Sequence, residues 1–408
     1  MNIKKLILQY QEKIFPFLDI GLNGINYFFH IFCSWYISQQ DYGTLNALLS
    51  ILAILLVAGI SFQTFTAKEI SQNGVTAKII YKVAFIYIAI LTGLFLILID
   101  YILIFTRSSY YSISLLFLVF FLNLFLSILR GIFQGEKQFF NLNMNFYIED
   151  LAKVFFVLIL LPIYKHIDVV LLGLVFGMGV GVIHGMLKLK IGTLVVRNQG
   201  KIAPVIKSIG IVYFANFFIY YYTSMDMIIF NYKLHEFSGI YAVVLRYSQI
   251  ILFVSFSLIT VFIPNLSSIV KNKIEFNLKV KKYFMLLLGI QFLLLIIYKT
   301  ILPLSVKYLF GVNYLEAANH LFMGSLMYCM LVNSFYLINI NIILEKKAYL
   351  YILGFIAISY TGFLFKYGTD IVIFLKGGIF FYTILFLLLA TTFIFEERIE
   401  NDKRREKL

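Results

Sequence analysis

Nine ionisable side chains stand inside stretches of sequence that are otherwise apolar, and any chemistry of this chain has to begin with them: Arg130, Glu149, Asp150, Lys153, Asp226, Arg246, Lys376, His30 and His184. An isolated charge in hydrocarbon is expensive, so such groups face a partner or a wet cavity. Asp226 and Arg246 fall at similar depth in two consecutive, antiparallel apolar stretches. There they either pair and fix helix packing or face a substrate. Lys376 is a third charge in the same layer, or it extends along its apolar stem to the surface. Towards the opposite side, Glu149, Asp150 and Lys153 fall in the first turns of their apolar stretch, where Glu149 and Lys153 have the i, i+4 spacing of a local surface pair, with coupling-ion or headgroup contact as the alternative. Arg130 reads as an anchor at a membrane boundary. His30 and His184 titrate near neutral pH or serve as hydrogen-bonded core residues.

Catalytic constellations are missing from the sequence. It has no phosphate-cradling Gly-Lys-Ser/Thr loop, no Cys or His pairs at metal-ligand spacing and no Ser in a glycine elbow, so neither a catalytic residue nor a metal ligand is expected. Cys33 and Cys329 both lie within apolar stretches and imply packing, not a disulfide framework.

The elements that must position these charges are membrane spans. With 61% hydrophobic residues, 13% charged residues and a mean hydropathy of +0.91, the chain has too little polar surface for a body dissolved in water. Twelve apolar stretches are each long enough to cross: 14–37, 43–65, 79–105, 112–133, 145–164, 168–187, 209–230, 239–265, 283–304, 317–343, 348–366 and 371–395. Of 34 Lys and Arg residues, 25 fall on the face shared by both termini and six on the other. Because basic loops resist translocation, both termini are expected in the cytoplasm, in a multi-pass membrane protein. The net charge of +14 is then topogenic and attracted to anionic headgroups, with no nucleic-acid role. The first dozen residues read as an interfacial helix, not a cleaved signal peptide.

The longest basic connection, from Leu187 to Ser208, divides the spans six and six and places the domain boundary between 1–195 and 196–408. The halves match in layout. Gln39-Gln40-Asp41-Tyr42-Gly43 and His235-Glu236-Phe237-Ser238-Gly239 each read as a short external loop whose Gly opens the next helix. Span six carries Gly173, Gly177, Gly181 and Gly185, a ridge for close approach of another helix, or a flexible point used in gating. Pro16, Pro162, Pro264 and Pro303 stand near span ends and read as terminators.

Several segments carry a family resemblance. The run from Ser224 through Asp226 to Asn231, then Ser238-Gly239-Ile240-Tyr241-Ala242 and Pro264-Asn265-Leu266-Ser267, resembles the span seven to eight signature of bacterial polysaccharide transporters, the flippases of lipid-linked oligosaccharides. The segments 309–318 and Leu129-Arg130-Gly131-Ile132-Phe133-Gln134-Gly135, and the Asp41-Tyr42-Gly43 loop, are similar too. The resemblance implies the multidrug, oligosaccharidyl-lipid and polysaccharide exporter superfamily: an all-α integral membrane protein with twelve transmembrane helices in two six-helix lobes forming a V around a central cavity. It implies alternating access that moves an undecaprenyl-diphosphate-linked glycan to the outer leaflet, for surface polysaccharide such as O-antigen or capsule. Partners would be membrane lipids and the polymerase and glycosyltransferases of the same pathway.

By that resemblance Arg246, Lys376, Arg130 and Lys153 are the cations for the diphosphate. Asp226 matches the acidic residue common in span seven, and it or Glu149 would carry a coupling ion, Na⁺ or H⁺, with no other cofactor. Two other readings stand beside it: a multidrug antiporter of the same fold, which would hold unpaired carboxylates for organic cations, and a membrane-embedded glycan polymerase or acyltransferase.

Overall fold

In a computed structural model of the chain, residues 21–71, 77–189, 213–214, 216–344, 346 and 348–405 are described, and among them no strand occurs. Helix α1 covers 21–36, followed by α2 (Gln39–Ser71), α3 (Ala77–Thr106), α4 (Tyr110–Gly135), α5 (Phe139–Tyr164) and α6 (Ile167–Lys188). The next crossing is split into α7, ending at Tyr222, and α8 (Met225–Lys233). There follow α9 (Ser238–Ile269), α10 (Lys273–Thr300), α11 (Leu302–Leu309), α12 (Leu321–Ile343), α13 (Ala348–Tyr367) and α14 (Ile371–Arg405), with a 3₁₀ stretch, Val312–His320, leading into α12.

This is a multi-pass membrane protein. Among the described residues nine helices are long and apolar enough to cross, against the twelve spans expected. Each of the other three has a visible reason. The first span begins in residues outside those described, as do the expected interfacial helix, Pro16 and the 195/196 boundary. The fifth, α5, carries Glu149, Asp150 and Lys153 at its middle, and the seventh is broken at Thr223-Ser224. The expected 39–43 loop is instead the first turn of α2, where Ser38 Oγ accepts from the Asp41 N–H at 3.1 Å and donates to the Asp41 carboxylate at 2.7 Å. The first contact satisfies one of the orphan N–H donors of the helix start. Pro162 and Pro264 lie inside α5 and α9 and do not end them, whereas Pro303 follows the end of α10 at Thr300 and opens α11.

The described chain forms two compact units, Met1–Ser224 and Met225–Leu408, divided at the break in the seventh crossing and later than the expected seam. Each unit packs by the same diagram. In the first, α2 packs on α4, α4 on α6, α5 on α6 and α3 on α4; in the second, the corresponding pairs are α9 on α12, α12 on α14, α13 on α14 and α10 on α12. The layout similarity of the halves is therefore a structural repeat.

Lipid offers no hydrophobic drive for one helix to join another, so close backbone approach and buried polar contacts do that work. The α6 ridge supplies the first. A Cβ at Gly177 would come within 2.7 Å of the Glu149 carbonyl oxygen and 2.8 Å of Lys153 Cβ, so α5 seats directly on the glycine backbone. In the second unit, Gln291 of α10 donates to Asn333 of α12 at 3.1 Å and the Tyr336 hydroxyl of α12 donates to the Val280 carbonyl at 2.8 Å. The apolar faces left over, on α3 and α10 above all, present Phe85, Ile97, Phe292 and Leu293 outward, as a lipid solvent requires.

Gly177→Ala is expected to destabilise the protein by about 1–3 kcal/mol through overpacking. Gly179→Ala, on the open face of the same helix with nothing within 4 Å, is expected to leave the melting temperature unchanged or raised. Thermal unfolding of the two variants in detergent checks the pair.

Candidate functional site

The charges of the first unit form one buried network. On α5, Asn145, Glu149 and Lys153 repeat every fourth residue, so they share the face that meets the α6 ridge, with Asp150 beside them. From α4, the Arg130 guanidinium forms an ion pair with Glu149 and donates through Nε to Asn145 Oδ1 at 2.7 Å. Its Cζ lies 3.8 Å from the centroid of the Phe146 ring, whose negative face adds to its stabilisation. Asn145 passes the network on, donating through Nδ2 to the Gly181 carbonyl at 2.7 Å and meeting His184 Nδ1 at 3.2 Å.

One turn further along α5, Lys153 Nζ bonds Asp150 Oδ1 at 2.5 Å and Asn26 Oδ1 of α1 at 2.6 Å, and sits 5.2 Å from the Phe29 ring. Asn26 in turn donates to Asp150 Oδ2 at 3.0 Å. The α1, α4, α5 and α6 helices are thus joined through side chains that are polar at membrane depth.

Four expectations change here. Glu149 does not pair with Lys153; its partner is Arg130, and Lys153 takes Asp150. These groups are not on the surface, since Arg130 is 4% and Lys153 6% exposed. Nor do they sit in the first turns of their helix: α5 begins at Phe139, which places them at its middle. Arg130 is accordingly a network member and not a boundary anchor. In this arrangement two cations are matched by two carboxylates, and no open cationic cradle exists among these four side chains.

In the second unit the key residue is Asp226, 1% exposed, in the first turn of α8. The break before it has a local cause. The Thr223 hydroxyl donates back to the Ile219 and Tyr220 carbonyls at 3.2 and 3.1 Å, and the Ser224 N–H bonds the Tyr221 carbonyl at 3.2 Å, tightening and ending α7. A new helix N-terminus then starts inside the crossing, and its positive dipole end favours a carboxylate.

Asp226 Oδ1 accepts from the Met227 N–H at 2.8 Å and Oδ2 accepts from the Tyr241 hydroxyl at 2.8 Å. Tyr241 is held by stacking on Phe230 at 4.1 Å and by an edge contact with Phe374. Tyr328 of α12 and Tyr382 of α14 are buried within electrostatic reach of the same carboxylate. The site is one buried carboxylate held by a backbone N–H and a phenol hydroxyl, hard groups suited to a proton or a small hard cation. Among the described residues no group of three His, Cys, Asp or Glu side chains is placed to hold a metal ion.

The Asp226–Arg246 pairing does not form. Arg246 is half-buried and its Nη1 donates to Gln249 Oε1 at 2.9 Å, on its own helix. Five residues of helix turn Arg246 about 140° away from Tyr241, the α9 residue that takes the carboxylate. Lys376, in the second turn of α14, is exposed on the second unit. His30 is packed edge-on against Phe29, and His184 belongs to the first network. Asn26, Asn145 and the tyrosines were not singled out by sequence reasoning. The available signal was amide and phenol groups recurring within apolar spans.

The sequence matches no protein-family model and no curated protein. Among solved structures it is similar to an inward-facing multidrug resistance MATE family transporter of the MOP superfamily, with a TM-score of 0.71 and 12% identity over 90% of this chain and 93% of that one. An outward-facing structure of a multidrug resistance MATE family transporter gives 0.65, with 13% identity over 96% and 95%. A MATE structure in a straight conformation gives 0.62, with 13% identity over 92% and 93%. The chain therefore has the all-helical fold of the MATE transporters.

Breaking one side of a buried ion pair leaves the other charge uncompensated. Arg130→Met is expected to cost about 3–5 kcal/mol, and adding Glu149→Leu to recover much of that loss. Lys376→Met, at an exposed position, is expected to stay within about 0.5 kcal/mol. Melting temperatures of the single and double variants measure all three.

Proposed function

We propose that this protein is a membrane transporter, not an enzyme, and that it works by alternating access driven by an ion held at Asp226. The observation that carries this reading is a buried carboxylate at a helix interruption within a MATE fold. Such interruptions expose backbone and dipole ends at membrane depth, where coupling ions and substrates bind. The Asp226 carboxylate and the Tyr241 phenol oxygen on it suit Na⁺ or H⁺, and Glu149, tied to Arg130, is the second carboxylate available for the ion. The direction we propose is outward from the cytoplasm of a bacterial cell, with both termini on the inner side.

For the cargo, the fold neighbours favour an organic cation, since the first two are multidrug resistance transporters. The charge balance of the first unit supports that reading, because Arg130 and Lys153 are already matched by Glu149 and Asp150. A second reading is favoured by the polysaccharide-transporter resemblance and by the two cations of the second unit. In it Arg246 and Lys376 meet the diphosphate of an undecaprenyl-linked glycan first, and Arg130 and Lys153 are freed to do so only when their carboxylate partners take up a proton or ion. The glycosyltransferases and polymerase of such a pathway would then be partners.

Proteoliposomes carrying a Na⁺ or proton gradient test both readings, with a fluorescent organic cation and a fluorescent undecaprenyl-diphosphate sugar as separate probes. Gradient-driven movement of one probe is expected, and Asp226→Asn is expected to reduce it to the level of empty vesicles. Movement of the organic cation alone selects the first cargo, and of the lipid-linked sugar alone the second. Full gradient-driven movement with Asp226→Asn removes the coupling role.

A further inference from the structure

The turn between α9 and α10 holds a surface that neither the ion site nor the cargo readings use. Within twelve residues it carries Lys271, Lys273, Lys279, Lys281 and Lys282, with Glu275 as the one acid. Glu275 is occupied, its Oε1 lying 2.8 Å from Lys279 Nζ. Lys271, Lys273, Lys281 and Lys282 are all exposed.

The same surface is apolar. Ile274 and Leu278 are 75% and 66% exposed, and they stand on one helical face with Met285, Phe292 and Ile296, all exposed as well. The lipid-facing stripe of α10 thus extends about two and a half turns beyond the point where the apolar span begins, at residue 283. Lys281 and Lys282 straddle that stripe, about 40° to either side of Leu278 and Met285 on the helical wheel. Farther along the stripe, Gly289 has nothing within 4 Å of where a Cβ would be, which leaves a shallow notch for a hydrocarbon chain.

Exposed aliphatic residues interleaved with lysines do not belong in bulk water. They belong in the headgroup layer, where the aliphatics reach the acyl boundary and the ammonium groups reach the phosphates. We propose that this corner is a binding site for an anionic phospholipid of the leaflet on the side of the chain termini, with Lys281 and Lys282 holding its phosphate and Lys271 and Lys273 adding to the field. The proposal takes its orientation from the sequence topology and needs no assignment of cargo.

Native mass spectrometry of the purified full-length protein, titrated with phosphatidylglycerol or with phosphatidylcholine of the same chains, tests it. The wild type is expected to retain phosphatidylglycerol in preference, and Lys281→Gln/Lys282→Gln to weaken that retention roughly tenfold or more. Lys299→Gln/Lys307→Gln removes the same charge from the opposite side and is expected to change retention little. Inorganic phosphate alone is expected not to compete, since it lacks the chains that the stripe covers. Equal losses in the two double variants, no preference between the lipids, or displacement by phosphate alone would each overturn the proposal. Because the readout is lipid retention, a failed transport assay leaves it standing.

Discussion

Lipid solvates neither a charge nor an unpaired amide, so every polar group that this chain carries into the membrane has to find its partner inside the protein. The two units meet that requirement differently. The first collects its charges into cation–carboxylate pairs bridged by Asn26 and Asn145, spanning four helices. The second keeps a single carboxylate and surrounds it with a new helix N-terminus and a phenol hydroxyl. Such groups are hard to move without repartnering, so the helices tied to them are held in register by the same contacts.

Helix packing follows from the same constraint. The glycine ridge of α6 and the polar column of α5 are two sides of one contact: bare backbone on α6 lets α5 come close enough for Asn145 to reach the Gly181 carbonyl. That geometry also explains why the ridge reads as structural. Where the ridge helix turns its other face, at Gly179, nothing crowds it.

Much of the architecture could be read from the residues. Apolar length and the distribution of Lys and Arg give the helices, and their layout points to the repeat that the packing diagrams display. The charged positions were equally visible, because a charge in a hydrophobic run stands out. Their partners were not. Glu149 and Lys153 have the spacing of a helical pair, yet Lys153 turns to Asp150 and to Asn26, 127 residues away, while Glu149 reaches across to Arg130. Local spacing gives the possible pairs, and tertiary packing selects among them. The break before Asp226 was hidden for a similar reason: Thr and Ser are tolerated in membrane helices, and only the back-bonding of Thr223 to Ile219 and Tyr220 shows that this pair ends one.

The charge cancellation in the first unit has an electrical corollary. Arg130, Lys153, Glu149 and Asp150, all ionised, sum to zero, so a rigid displacement of their helices along the membrane normal carries no net gating charge. A potential that does work of about 2.3 kcal/mol per elementary charge per 100 mV has nothing to grip there. A rigid movement of these four groups is therefore electrically silent, and a membrane potential has to act on charges elsewhere in the fold, such as Asp226, Arg246 and Lys376.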